Sequence, residues 1–172
     1  TSTNGYLSAW NPNQNATTTS YQNWFIGAAC NIDDMIAAAE KIGAYHYIGA
    51  AHAIHAMGYM LMTDLYGEMP YSEILGSNPT PVYDNGETIF NGCMARLDKA
   101  IEYFNMPQEE GATSLAAGDS WNGGDVQKWL KLCYGLKARW LNKLSKKSAL
   151  YDPQAVLDAL AKAPQSNNDN TI

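Results

Sequence analysis

The stretch that decides the fold is MTDLYGEMPYSEIL, residues 62–75. Its first half continues an apolar helical pattern, and Gly67 stands where a helix can end in a residue of positive φ. Pro70 pushes Met69 into extended backbone, because the proline ring crowds the residue before it. The sequence therefore predicts that a long helix ends at Gly67 and that the chain turns there.

Two further segments follow in fixed order, PVYDNGETIF at residues 81–90 and GGDVQKWLKLCYGLKARW at residues 123–140. Asp84 and Asn85 predict the start of a helix after the extended Pro-Val-Tyr. The Gly-Gly pair predicts a turn, and Asp125 is the expected N-cap of the helix that follows.

Taken together, the three segments resemble the SusD/RagB family of outer-membrane glycan-binding lipoproteins. In that family a Leu-Tyr-Gly-Asp-x-Pro-Tyr-like turn, a Tyr-Asp before a helix and a Gly-Gly-Asp-x-x-Lys-Trp helix start recur in this order. The resemblance covers residues 21–163, and the chain departs from it at Glu68, where Asp is commoner. It implies an all-α, SusD-like fold of TPR-like helical hairpins with long irregular loops.

Hydrophobic periodicity independently predicts an all-α chain, because apolar residues recur at helical spacing and strand alternation is almost absent. The length of 172 residues favours one helical domain over 1–172. Since the chain starts at Thr1 rather than Met, we expect a processed chain or part of a longer SusD-like protein. The predicted helices cover about 21–40, 45–66, 87–105, 125–146 and 153–163.

The second predicted helix is apolar on nearly all sides. Residues 42–63 contain no Asp, Glu, Lys or Arg, a length that suggests a membrane span. His46, His52 and His55 interrupt the segment, so we predict a buried central helix instead. The three cysteines lie among apolar helical positions without metal-ligand spacing, and we interpret them as buried thiols; they are Cys30, Cys93 and Cys133.

Positive charge is concentrated in one predicted helix. Seven of the eleven Lys and Arg lie in residues 126–147, which contain none of the seventeen acids. With a net charge of −6 and no interleaved exposed aromatics, this pattern indicates a solvated helix face rather than a nucleic-acid surface. Lys137 falls on the apolar side of the same helix, so we predict that it is at least half buried and pairs with an acid.

The sequence holds little that could be catalytic. His52 and His55 share a helix face and could hold a metal, but neither a Glu-x-x-His pair nor a His-Glu-x-x-His motif accompanies them. Core histidines are the simpler interpretation. We therefore predict no metal, no cofactor and no enzyme activity. A metal-dependent enzyme on the His52 helix is an alternative that ranks behind the two functions considered below.

Two loops combine tryptophan with amides, the mixture that binds sugars by stacking and hydrogen bonding. Trp10, Asn11 and Asn13 precede the first helix, and Trp121 and Asn122 precede the Asp125 cap. We predict these five residues as candidate glycan ligands, with packing of each tryptophan on its own loop as the alternative. The other three tryptophans lie on apolar stripes and are predicted core residues: Trp24, Trp129 and Trp140.

The resemblance implies a surface-exposed lipoprotein of the outer membrane that delivers oligosaccharides or other nutrients to a SusC-like TonB-dependent transporter. The chain lacks the lipid-bearing cysteine, so contact with the membrane is expected only through an anchor outside it. The main alternative is a helical scaffold for protein interaction with no small ligand of its own. Which of the two applies depends on whether Trp10 and Trp121 form an open aromatic platform.

Overall fold

The computed structural model describes residues 18–74 and 78–169. Helix α1 (Thr18–Gln22) leads through a π-helical turn (Asn23–Ala29) into α2 (Cys30–Glu40). The helices that follow are α3 (Tyr45–Tyr66), α4 (Gly86–Phe104), α5 (Val126–Lys143) and α6 (Pro153–Leu160). Short 3-10 turns occupy Leu115–Ala117, Leu144–Lys146 and Asn167–Asp169.

The described residues contain no strand, only an isolated bridge between Met69 and Asp84. This confirms the predicted all-α fold. Helix α3 is the centre of the molecule, packed against α2, α4 and α5. Small residues on α3 allow close approach: Phe104 of α4 lies against Gly49, and a side chain there would collide with its ring.

The π-helical turn, which the sequence pattern did not predict, sets the first hairpin. It places Trp24 and Phe25 against Tyr59 at ring-centroid distances of 5.3 and 6.0 Å. Trp24 also covers Gly58 so closely that any Cβ at residue 58 would overlap the indole. The extra residue of a π turn re-aims the side chains that follow, and here both aromatic rings reach α3.

The predicted helix starts are confirmed by side-chain caps. Asn85 accepts a hydrogen bond from the Thr88 amide, and Asp125 accepts from the amides of Gln127 and Lys128. These bonds satisfy donors that the first turn of a helix leaves unpaired. At the other end of α3, Gly67 has φ +77°, which glycine adopts without strain.

The long loop between α3 and α4 is held by one carboxylate. Asp84 exchanges backbone hydrogen bonds with Met69, and its side chain accepts from the amides of Tyr71 and Ser72 at 3.1 and 2.8 Å. Burial raises the pKa of Asp84, but the hydrogen bonds from Ser72 and Tyr71 outweigh it and lower the pKa below its ordinary value. Asp84 of the Tyr-Asp motif is therefore bonded to the segment that directly follows the Leu-Tyr-Gly turn.

Two histidines of α3 are buried in the core. Arg96 donates to His52 Nδ1 at 3.0 Å and lies 3.8 Å from Asp33. Since a guanidinium cannot accept a hydrogen bond, His52 is neutral with Nδ1 unprotonated. Burial, followed by the charges of Arg96 and Lys99, lowers the pKa of His52 to about 4. Burial, together with Arg96 and His52, lowers that of His55 to about 3.

Two predictions about single side chains have different outcomes. Lys137 is 18% exposed and pairs with Asp98, as predicted. Cys93 and Cys133 are buried, but Cys30 is exposed, so the prediction of three buried thiols was wrong for Cys30. Its thiol donates to the Ile26 carbonyl at 2.8 Å, on the outer side of the π turn.

The other basic residues of α5 are exposed or partly buried, and most of them pair with acids. Lys131 pairs with Asp169, and Arg139 and Lys143 both pair with Asp64. Among the helices of residues 18–74 and 78–169, α3 included, none combines the length and the hydropathy of a membrane span.

Candidate functional site

The loop before α5, residues 118–125, is organised around the carboxylate of Asp119. Oδ1 accepts from the amides of Trp121 and Asn122 at 2.9 and 3.1 Å. Oδ2 accepts from the Gly124 amide at 2.9 Å and from Trp129 Nε1 at 2.7 Å. Burial raises the pKa of Asp119, but these four hydrogen bonds outweigh it and hold the pKa below its ordinary range. The carboxylate therefore ties the loop to the first turn of α5.

This arrangement places Trp121 on top of a stack of aromatic rings. Its indole lies over Trp129 with ring centroids 5.7 Å apart and planes within 12°, and Trp129 in turn stacks on Phe104 at 5.8 Å. Trp129 is buried, as predicted, whereas Trp121 is only partly buried. The stack covers one face of Trp121 and leaves the rest of the ring partly exposed.

A cavity of about 160 Å³ opens beside Trp121, and we call it the Trp121 cavity. Helices α2 and α3 form one wall, and the loop and Trp129 form the other. The lining residues are Met35, Tyr47, Ala50, Ile54, Leu115, Gly118, Asp119, Ser120, Trp121 and Trp129.

Few polar side-chain groups of the Trp121 cavity are free to bind a ligand. Asp119 already accepts four hydrogen bonds, which fills its capacity. The hydroxyls of Tyr47 and Ser120 and the indole N–H of Trp121 have no hydrogen-bond partner within the described residues. Tyr47 lies directly over Gly118, where an added Cβ would be 2.9 Å from its hydroxyl oxygen.

Of the five predicted ligand residues, two are described by the structure. Trp121 lines the cavity, whereas both side-chain amide atoms of Asn122 are shielded from solvent and unpaired within residues 18–74 and 78–169. A ligand could reach the Asn122 amide only after the loop had moved. Trp10, Asn11 and Asn13 lie outside the described residues.

The sequence reasoning did not identify the α3 side of the cavity. Tyr47, Ala50 and Ile54 follow each other at helical spacing on one face of α3, a pattern that also describes a core stripe. Only the approach of the tryptophan loop from a distant part of the chain separates these residues from the core. The sequence holds one weak indication of a site here: the loop between α4 and α5 is longer than ordinary connections between helices.

A larger cavity of about 670 Å³ lies at the other end of α5, between Phe90, Leu141, Leu144 and Leu150. Phe90 stacks on the buried Trp140 at 5.6 Å. In the described part of the chain no group of three or more His, Cys, Asp or Glu side chains is placed to hold a metal ion. The Trp121 cavity joins a partly exposed aromatic ring to free hydroxyls, an arrangement suited to stacking and hydrogen bonding.

Comparison with known proteins gives a consistent family. Residues 1–172 match the SusD-like family described as "Starch-binding associating with outer membrane". No curated protein matches the chain at a significant level.

Solved structures agree. A SusD-like protein from Bacteroides thetaiotaomicron VPI-5482 matches with TM-score 0.80 and 23% identity, over 96% of this chain and 34% of that one. A chitin-binding protein matches with TM-score 0.81 and 26% identity, over 97% of this chain and 36% of that one. A SusD/RagB family protein from B. thetaiotaomicron is 32% identical, with TM-score 0.64, over 75% of this chain and 26% of that one. The chain thus spans about a third of the length of these proteins.

Proposed function

Because this chain belongs to the SusD-like family of starch-binding proteins that associate with the outer membrane, we propose that it is the helical part of a surface protein that binds glycans. The full-length protein captures oligosaccharides non-covalently and passes them to a SusC-like TonB-dependent transporter. It is held at the outer membrane as a lipoprotein. The helical domain over 1–172 is one unit of that longer protein.

The observation that carries the proposal is the partly exposed ring of Trp121 above Trp129 and Phe104, beside a cavity with free hydroxyls. A ring held in place loses little conformational freedom when a sugar stacks on it, which favours binding. Trp121 is the proposed stacking residue, with Trp10 as a second platform and Asn11 and Asn13 as polar partners. Asn122 is a further polar partner only in a state in which the loop has moved and uncovered its amide. The chitin-binding relative supports carbohydrate as the ligand class.

The described residues favour binding without catalysis. Hydrolysis of a glycosidic bond commonly requires two carboxyl groups facing each other across the bond. Among the described residues, Asp119 is the only carboxylate that lines the Trp121 cavity, and its oxygens are occupied by hydrogen bonds from the loop and Trp129. We therefore propose that the ligand leaves chemically unchanged.

Calorimetry of the full-length protein against a panel of polysaccharide fragments tests the proposal. We expect weak to moderate binding to at least one glycan, and a loss of at least ~10-fold in affinity on Trp121→Ala, equivalent to ~1.4 kcal/mol. Trp140→Phe is the control, because Trp140 is buried away from the cavity. Absence of binding to every glycan would contradict the proposal, and release of reducing sugar would indicate an enzyme.

A protein-interaction scaffold is the second candidate. Leu61 and Leu65, one turn apart on α3, are 47% and 67% exposed, and Ile26 on the π turn is 69% exposed. Exposed apolar residues grouped on helices are typical of surfaces that another protein covers. This reading gains support if the glycan panel shows no binding while Leu61→Ser and Leu65→Ser reduce co-purification of the transporter.

A further inference from the structure

The walls of the Trp121 cavity are too apolar for an unsubstituted sugar. Met35, Ala50, Ile54 and Leu115 supply aliphatic carbon on the sides not formed by aromatic rings. A sugar ring carries hydroxyl groups around its edge, and hydroxyls that leave water without finding a partner destabilise the complex. A group that inserts into this cavity must therefore present an apolar end.

The free polar groups of the cavity match one amide. The hydroxyls of Tyr47 and Ser120 can each donate and accept a hydrogen bond, and the Trp121 indole N–H can donate one. Asp119 lines the cavity but has no free acceptor capacity for a row of sugar hydroxyls. One carbonyl and one N–H need a single donor and a single acceptor, which these groups can provide.

The volume of the cavity also favours a small substituent as the group that enters it. Its volume of about 160 Å³ lies below the roughly 300–1,000 Å³ of pockets that enclose a drug-sized ligand. The cavity can hold a small substituent and the adjoining edge of one ring. The remaining rings of an oligosaccharide would lie outside it.

Resting on the proposed function, we infer that the Trp121 cavity selects glycans built from N-acetylated amino sugars. The acetamido methyl group packs against the aliphatic side chains of Ile54 and Leu115. The acetamido carbonyl accepts from a hydroxyl of Tyr47 or Ser120, and the pyranose ring packs against Trp121. Neutral glucans of the same linkage lack the group that fills the cavity and bind more weakly.

Two hexasaccharides of equal length and linkage test the inference on the full-length protein. Chitohexaose carries an acetamido group on each ring where cellohexaose carries a hydroxyl. We expect calorimetry to give at least ~10-fold tighter binding of chitohexaose. Equal or tighter binding of cellohexaose would overturn the inference. The fully deacetylated amine oligomer should bind no better than cellohexaose, because it has lost the methyl group.

A cavity-filling variant locates the selectivity. Ala50 is buried and lines the cavity, so Ala50→Leu should fill part of the space that the acetamido group needs. We expect this variant to lose the preference for chitohexaose, whereas Ala37→Leu, the same change at an exposed position of α2, should keep it. A preference that survives in Ala50→Leu would overturn the inference. Thermal unfolding of both variants checks that each is folded; if Ala50→Leu is not, Ile54→Phe takes its place with the same expectation.

The outcomes separate this inference from the proposed function. Binding of other glycans without any preference for the acetylated hexamer would overturn the inference and leave the proposed function standing. Absence of binding to every glycan, including chitohexaose, would overturn both.

Discussion

Asp119 holds the candidate site together through one carboxylate with four donors. Asp119→Ala should lower the free energy of unfolding by roughly 2 kcal/mol or more, since hydrogen bonds to a charged group are worth more than neutral ones. It should also weaken glycan binding by releasing Trp121 from Trp129. Urea unfolding and calorimetry on the same samples measure the two effects.

The control for this prediction lies in the same loop. Asp125→Asn keeps a residue that caps helices as well as aspartate, so it should change neither stability nor binding appreciably. Asp119→Asn retains one acceptor oxygen and should fall between Asp119→Ala and the unaltered protein. If Asp119→Ala binds glycans normally, Asp119 does not position the platform.

Lys137 and Lys146 differ in burial, and the difference should be measurable. Lys137 is 18% exposed and paired with Asp98, whereas Lys146 is exposed. Because Asp98 is 63% exposed, the ion pair itself is worth little in water, about 0.2–1 kcal/mol. The packing of the aliphatic stem adds to it. Lys137→Ala should therefore cost about 1 kcal/mol more than Lys146→Ala in urea unfolding; equal costs would contradict this.

Among the helical elements, the contact between the π turn and α3 can be tested by adding one methyl group. Gly58→Ala places a Cβ inside the space of the Trp24 indole, so it should destabilise the protein by about 1–3 kcal/mol. Gly27→Ala is the matched change within the π turn, where nothing lies within 4 Å of the added Cβ. It should be neutral or slightly stabilising. Thermal unfolding compares the two variants, and a neutral Gly58→Ala would show that the contact is loose.

The features of the helices that the sequence predicts are those that depend on short-range interactions. Caps at Asn85 and Asp125 and the glycine end of α3 depend on residues a few positions apart, so the sequence predicts them. The π turn depends on a choice between neighbouring hydrogen-bonding patterns, and that choice is decided by the packing of Trp24 on Gly58. No local pattern records such a contact.

The candidate site shows the same limit. A tryptophan in an amide-containing loop was enough to single out Trp121. Its partners Tyr47 and Ile54 come from more than sixty residues earlier in the chain and carry an ordinary core pattern. The prediction for Cys30 was wrong for a related reason. The π turn rotates the residues that follow it, so Cys30 is exposed and not on the buried side of the helix.

For the molecule as a whole, acid should be the condition that unfolds it. His52 and His55 have pKa values lowered to about 4 and about 3, against about 6.5 in the unfolded chain. The unfolded state therefore binds more protons below pH 6.5, and stability is lost as the pH falls from 6.5 towards 4. The expected loss by pH 4 is on the order of 3 kcal/mol for each histidine.

Urea unfolding at a series of pH values between 7 and 4 measures this dependence. His52→Gln and His55→Gln should each flatten the curve, because neither glutamine titrates. A wild-type curve that is flat over this range, or steepest above pH 6.5, would contradict the buried neutral state of the two rings.

The stack of Trp121 on Trp129 also gives the protein an optical signature. Two indoles whose planes lie within 12° and whose centres are 5.7 Å apart share their electronic excitation, so their circular dichroism differs from that of isolated chromophores. A molecule that settles on the outer ring alters the polarity around that shared excited state. The protein's own circular dichroism should therefore change when the cavity is occupied, without an added dye.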